Sequence, residues 1–261
     1  MEWLIDVNPY AYIARLYGLS KEDFVSELVL VGDRKICLTR YNGILHAFAD
    51  IHDEKTWEWL LSFAEAHPTE KICSFISPEI LNRLSKPMLF CEPKMIYDVY
   101  LLDNERPRHQ PQKLSDNFSF RSLNIVDIPE LRVLFAYQDE RQPLVSATFN
   151  YEDFVRNYNL GMFDGSKLVG IVGLFGKSSQ DLEMGRGFTA PHYRGRGIHK
   201  ILISGLIDKI RAEGDQRRIY SWTSVDNEAA KHVLASSGFR KLGSLCKVEL
   251  NAEQSKARCR G

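Results

Sequence analysis

The stretch Leu182-Glu-Met-Gly-Arg-Gly-Phe-Thr-Ala-Pro-His-Tyr-Arg-Gly-Arg-Gly-Ile-His-Lys200 constrains this chain more than any other. It reads as a strand over Leu182–Thr189, a glycine-rich turn at Arg194-Gly-Arg-Gly197, and a helix from about Ile198 to Ala212 stopped by Gly214. Ile198, Ile201, Leu202, Ile203, Leu206, Ile207 and Ile210 form a broad apolar stripe at helical spacing, suited to packing on a sheet. A glycine turn that feeds a helix start is an anion site. The first N–H groups of the helix have no partner inside it, and the helix dipole is positive there. Glycines let the backbone come close to a phosphate, and Arg194 and Arg196 add charge. A turn of this composition can also serve only to reverse the chain. The legible strand before it and helix after it favour the anion site.

The same residues resemble motif A of the GNAT superfamily of acyl-CoA-dependent N-acyltransferases. That motif has a Gln or Arg, two residues, a Gly, one residue, then Gly or Ala. Arg194 and Gly197 fill the first and fourth places, and Pro191-His-Tyr193 matches the usual lead-in. His199 stands where Gly or Ala is usual, which is a departure. The resemblance implies a coenzyme A pyrophosphate on the loop amides and a pantetheine arm along the preceding strand. Carried onto this chain, those contacts fall on Gly187, Phe188, Thr189, Arg194, Gly195, Arg196, Gly197, Ile198, His199 and Lys200.

Length and composition bound the rest. The 261 residues are enough for one large or two small domains. Lys plus Arg equals Asp plus Glu at 34 each, so no strongly basic field points to nucleic acid. The balance hides a tilt: residues 1–115 hold 13 basic and 17 acidic groups (−4), and residues 116–261 hold 21 and 17 (+4). The positive half is the one with the anion loop, which suits a polyanionic cofactor, although ordinary scatter gives the same tilt. The cysteines, Cys37, Cys73, Cys91, Cys246 and Cys259, are odd in number and widely spaced, without a Cys-x-x-Cys pair. That argues for a reducing compartment and against a disulfide framework or zinc site. No apolar run approaches ~20 residues, and the start lacks a basic-then-apolar signal pattern, so the expectation is a cytoplasmic protein off the membrane.

In chain order, Pro9–Tyr17 reads as helix, and Ser20-Lys-Glu-Asp23 as an N-cap opening a short turn. Leu28–Val31, Lys35–Arg40 and Ile44–Phe48 read as strands, with hairpin signals at Gly32-Asp33 and Asn42-Gly43. Asp53 caps a helix to Ala66. Ile72–Ile76 is a strand, Pro78–Leu84 a short helix and Met95–Leu102 a further strand. This part carries no catalytic signature. His46 and His52 read as structural or surface groups, Trp57 and Trp59 as core and rim. The element order echoes part of an acyltransferase domain, so residues 1–112 are expected to be a smaller α/β domain, a degenerate GNAT-like one. The polar segment Asp103-Asn-Glu-Arg-Pro-Arg-His-Gln-Pro-Gln112 reads as a boundary.

The second domain, 116–250, follows. Phe118–Leu123 is a strand. Asp127 caps a helix bearing Leu131, Leu134 and Phe135, and Tyr151–Tyr158 is a second helix. Leu160–Asp164 and Lys167–Phe175 form a hairpin across Gly165-Ser166. After the central strand, loop and helix come strand Arg218–Ser224, helix Asn227–Ser236 and closing strand Leu245–Leu250; residues 251–261 are a polar tail. This order resembles the whole GNAT fold, an α/β architecture with a mixed central sheet. Asn227-Glu-Ala-Ala-Lys-His-Val-Leu-Ala-Ser-Ser-Gly-Phe239 is similar to the family's motif B, with Asn227 as N-cap, a further cofactor contact, and Gly238 after the helix end. The family often has a Tyr eight places into that motif as the acid for the leaving thiolate. Here the place is Leu234.

An amine that attacks a thioester must shed a proton. A thiolate with pKa about 8.5 can leave without a strong acid. Strict alternation along the central strand puts Glu183, Gly185, Gly187 and Thr189 on one face, an open floor beside a carboxylate. Glu183 is therefore a candidate base, or else an ordinary strand salt bridge. Tyr220, Trp222 and Ser224 share a face of the next strand and line an acceptor pocket or belong to the core; Tyr220 is the second catalytic candidate. The reading is a two-domain N-acyltransferase using acetyl-CoA on a small amine or amino acid, without a metal. It is compatible with a homodimer. Two rivals stand beside it, an acyl-CoA sensor without turnover and a protein lysine acetyltransferase.

Overall fold

A computed structural model of the protein describes residues 25–31, 34–41, 44–48, 54–84, 90–105, 114–139, 150–177 and 181–250. The helix expected at Pro9–Tyr17, the Ser20–Asp23 cap, both hairpin turns of the first half, His52, Asp53, most of the 103–112 boundary and the 251–261 tail lie outside the described residues.

Eleven strands and six helices are described. The first half runs β1 (Val25–Val31), β2 (Arg34–Tyr41), β3 (Ile44–Phe48), α1 (Glu54–Ala66), β4 (Lys71–Ile76), α2 (Pro78–Arg83) and β5 (Phe90–Leu102). After the boundary come β6 (Phe118–Arg121), α3 (Ile128–Asp139), α4 (Tyr151–Arg156), β7 (Asn159–Asp164), β8 (Lys167–Lys177), β9 (Asp181–Thr189), α5 (Ile198–Ala212), β10 (Arg218–Ser224), α6 (Glu228–Ser236) and β11 (Phe239–Leu250). Most expected elements appear within a few residues of their sequence bounds. One cap moves: Asn124, not Asp127, opens the turn before α3. Its Oδ1 accepts from the Val126 N–H at 3.0 Å, while Asp127 accepts from the Asn124 N–H at 2.8 Å and pairs with Arg121 at 2.7 Å. The Arg121 hydrogen bond holds the Asp127 carboxyl below its usual range.

All eleven strands form one sheet in the order β1-β2-β3-β4-β11-β5-β10-β9-β8-β7-β6. Each half repeats one scheme. β1, β2 and β3 pair antiparallel, α1 crosses over, and β4 pairs parallel to β3. Likewise β7, β8 and β9 pair antiparallel, α5 crosses over, and β10 pairs parallel to β9. The last strand of each half is exchanged. β5 lies between β11 and β10, and β11 lies between β4 and β5. The cores follow this exchange: Val248 and Leu250 of β11 pack with Trp57, Leu60 and Ile72 of the first half, and Tyr100 and Leu102 of β5 pack with the α5 core of the second. Trp57 is core and Trp59 packs at its edge. Cys73 and Cys246 are buried.

α5 covers the sheet because its stripe is apolar through four turns. Ile198, Leu202, Ile203, Leu206, Ile207 and Ile210 are buried against Leu160, Met162, Val172, Leu182 and Met184. Each such side chain contributes about 1.5–3 kcal/mol on burial. Gly214, at φ 82, ends the helix in the left-handed region that favours glycine. No described helix is long and apolar enough to cross a membrane.

Candidate active site

β9 and β10 pair at only three positions, Arg218 with Asp181, Ile219 with Leu182 and Tyr220 with Glu183. Beyond that point β9 continues against β8 to Thr189, and β10 continues against β5 to Ser224. The two strands therefore part inside a continuous sheet, and Glu183 and Tyr220 stand at the vertex. Two bulges help to bend β9 away. β8 carries an extra residue between Leu174 and Gly176. β9 carries one between Gly185 and Phe188, where Arg186 takes φ 50. Among the described residues, the inner edge of Met184–Thr189 has no ladder partner over roughly 15–20 Å. Such an edge can hydrogen-bond an extended ligand with amide groups, as an added strand would.

The bulge corrects the sequence expectation for this strand. Directly opposed residues share a face. Gly185 opposes Gly173, where a methyl group would meet the Phe154 ring of α4 at 2.3 Å. Thr189 opposes Gly170, where a methyl group would lie 2.9 Å from Ile198 of α5. A methyl group on Gly187 would lie 1.8 Å from Nε2 of His199, also on α5. Glu183 and Gly185 thus share the α4 face, and Gly187 and Thr189 turn to the α5 face. Period-two alternation fails because one inserted residue flips everything after it.

The loop at the far end of the parted edge has an exposed, glycine-rich backbone. Gly195 and Gly197 take φ 77 and 76, and among the described residues, chain neighbours aside, no atom lies within 4 Å of where a side chain on either would start. Among the described residues, no protein acceptor takes the backbone N–H of Gly195, Arg196, Gly197, Ile198, His199 or Lys200. Among the described residues, the buried Thr189 hydroxyl has no hydrogen-bond partner. Arg194 braces the loop, its Nε donating to the Thr189 carbonyl at 3.1 Å, and Arg196 lies 5.3 Å over the Tyr193 ring. Open amides, an orphaned hydroxyl and two guanidinium groups fit a pyrophosphate. The Ile198 side chain is buried in the core, so this residue can offer only its amide.

His199 is half-buried, with its ring turned onto β9 at Gly187. Burial lowers its pKa to about 4, so the imidazole is neutral near pH 7 and adds no charge for a phosphate.

At the vertex, Glu183 is 7% exposed and Tyr220 4% exposed. Trp222 donates its indole Nε1–H to Glu183 Oε1. On the same face, Arg218 holds Asp181 through two bonds of 2.7 and 3.1 Å. The Trp222 ring packs against Tyr97 of β5 at 5.3 Å and Phe75 of β4 at 5.7 Å between centroids. Those two rings were invisible to sequence reading, since only the strand exchange brings them here. Asn227 caps α6, its Oδ1 accepting from the Ala230 N–H at 3.1 Å, which leaves its amide NH₂ for a ligand. Leu234 is buried in the α5 core, so no proton donor stands at that place. His46, far from the vertex on β3, is buried, and burial followed by the Lys247 charge lowers its pKa to about 4.

Residues 123–239 match the model of the acetyltransferase (GNAT) family. Members of this family use acetyl-CoA. The fold of the whole chain is similar to a GNAT-family acetyltransferase from Colwellia psychrerythraea, with TM-score 0.62 and 14% identity, over 95% of this chain and 92% of that one. It is also similar to a GNAT-family acetyltransferase, described as putative, from Novosphingobium aromaticivorans, with TM-score 0.53 and 20% identity over 95% and 98%. A tandem GNAT protein of the clavulanic acid biosynthesis pathway aligns with TM-score 0.59 and 14% identity over 93% and 87%. No curated protein sequence matches the chain.

Proposed function

We propose that this chain is an N-acyltransferase that moves an acetyl group from acetyl-CoA to a primary amine of a small molecule or amino acid. One observation carries the proposal: β9 and β10 part directly after Glu183 and Tyr220, and the opened edge leads to the loop of open amides at Gly195–Lys200. In this reading Gly187, Phe188 and Thr189 offer the strand edge, the loop holds the pyrophosphate, and the amide of Asn227 adds a contact from the α6 side. Acetyl-CoA supplies an activated thioester whose thiolate can leave without a strong acid, which Leu234 could not provide. Glu183 takes the proton that the amine sheds as it attacks, directly or through one water. Tyr220 lies opposite it in register and lines the acceptor side. The scattered cysteines support a cytoplasmic location.

Thiol release from acetyl-CoA against a panel of primary amines and amino acids tests the proposal, with acetyl-CoA binding followed by calorimetry. Turnover with a small amine supports it. Binding without thiol release for any amine would make the chain an acyl-CoA sensor. Acetylated lysine on a protein, with no small amine accepted, would make it a protein acetyltransferase.

A further inference from the structure

We infer that Trp222 is a positioning residue for Glu183, and that the first half of the chain holds it there through Tyr97 and Phe75. This rests on Glu183 being the base. Glu183 is almost wholly buried, so an unsupported carboxylate there would be costly and free to rotate away from the amine. The Trp222 indole N–H donates to Glu183 Oε1 and orients the other oxygen. The indole is itself fixed. The Tyr97 and Phe75 rings meet it at interplanar angles of 51° and 58°, and they meet each other at 6.4 Å, so three tilted rings lock together. Tyr97 opposes Ser224 on β10, and Val99 opposes Trp222, so β5 also sets the backbone from which the indole projects. Both Tyr97 and Phe75 precede the boundary segment. On the same face, Arg218 and Asp181 bond to each other. The strand exchange thus makes the first half a structural member of the catalytic centre, which explains why a half without a catalytic signature is woven into the sheet.

The test has two arms. In the first, the chain's four tryptophans give four indole N–H signals in a ¹H–¹⁵N spectrum, and Trp222→Phe identifies its own by deletion. Glu183→Gln and Tyr97→Leu should each move the Trp222 signal and leave the other three in place. A Trp222 signal indifferent to Glu183→Gln overturns the contact, whether or not any amine is turned over. In the second arm, Trp222→Phe keeps a ring but removes the donor. With the best amine of the panel, kcat should fall roughly 10–100-fold, with the acetyl-CoA Kd unchanged. Adding Trp222→Phe to Glu183→Gln should cost little more, since both act through one carboxylate. A parent kcat for Trp222→Phe beside a slow Glu183→Gln overturns the positioning role alone. A parent kcat for Glu183→Gln removes the base assignment, and the positioning role falls with it.

Discussion

The imidazole of His199 occupies the space that a side chain on Gly187 would need, with Nε2 1.8 Å from the place of that missing methyl group. The two residues are twelve apart in sequence, one on the bulged strand and one in the first turn of α5. The imidazole at a place where the resemblance leads one to expect Gly or Ala is accommodated by a glycine facing it. The ring closes the α5 face of β9 close to the loop, and among the described residues no backbone carbonyl takes the His199 N–H.

Gly187→Ala should therefore destabilise the protein by about 1–3 kcal/mol, the usual cost of overpacking a filled site. His199→Ala opens the space, so Gly187→Ala should cost under ~0.5 kcal/mol in that background. Chemical denaturation of the four proteins of this cycle gives the answer. Additive costs would mean that the two residues do not share one space.

Gly197 has open space above it and a left-handed φ of 76. Asn tolerates that backbone better than most residues, so Gly197→Asn and Gly197→Asp differ mainly in charge. Calorimetry should show that the Asp variant binds coenzyme A at least ~10-fold more weakly than the Asn variant, about 1.4 kcal/mol. Equal affinities would remove the pyrophosphate from this loop.

Glu183→Gln keeps shape and hydrogen bonding but cannot accept a proton. Acyl transfer at neutral pH should fall by roughly 10²–10⁴-fold, while coenzyme A affinity hardly moves. The deficit should shrink at high pH, where more of the amine is already neutral. A variant that transfers at the parent rate takes Glu183 out of the mechanism.

His46 and His199 each titrate near 4 in the folded protein, against 6.5 when unfolded. Between those values the unfolded chain binds more protons, so both groups cost stability as pH falls from about 6.5 to 4. Above 6.5 they cost nothing, and below about 4 the penalty is complete, at roughly 3 kcal/mol for the buried His46 and less for the half-buried His199. His199→Gln should lose its own share of this slope and keep that of His46. Urea unfolding at pH 7 and pH 4.5 measures the difference, and a variant with the parent's slope would contradict a buried neutral ring.

We propose residues 1–112 and 116–250 as the two units of the chain, with protease-sensitive sequence between 103 and 112. A cut there should come first in limited proteolysis. Because β5 lies between β11 and β10, the fragments should still elute as one species in gel filtration and separate only in denaturant. Fragments that part in native buffer would contradict the exchanged strands.

What the residues determined by themselves was local. The glycines and the apolar stripe of 198–210 set the strand–loop–helix unit, because left-handed φ and helical periodicity are written in neighbouring residues. The motifs around Arg194–Lys200 and Asn227–Phe239 pointed to the family that the 123–239 match supports. Tertiary structure decided the rest. The bulge at Arg186 turned Gly187 and Thr189 to the face opposite Glu183, since register depends on the partner strand and not on the strand's own pattern. Strand exchange brought Phe75 and Tyr97 to Trp222 across more than a hundred residues, and no local periodicity encodes which distant strands will pair.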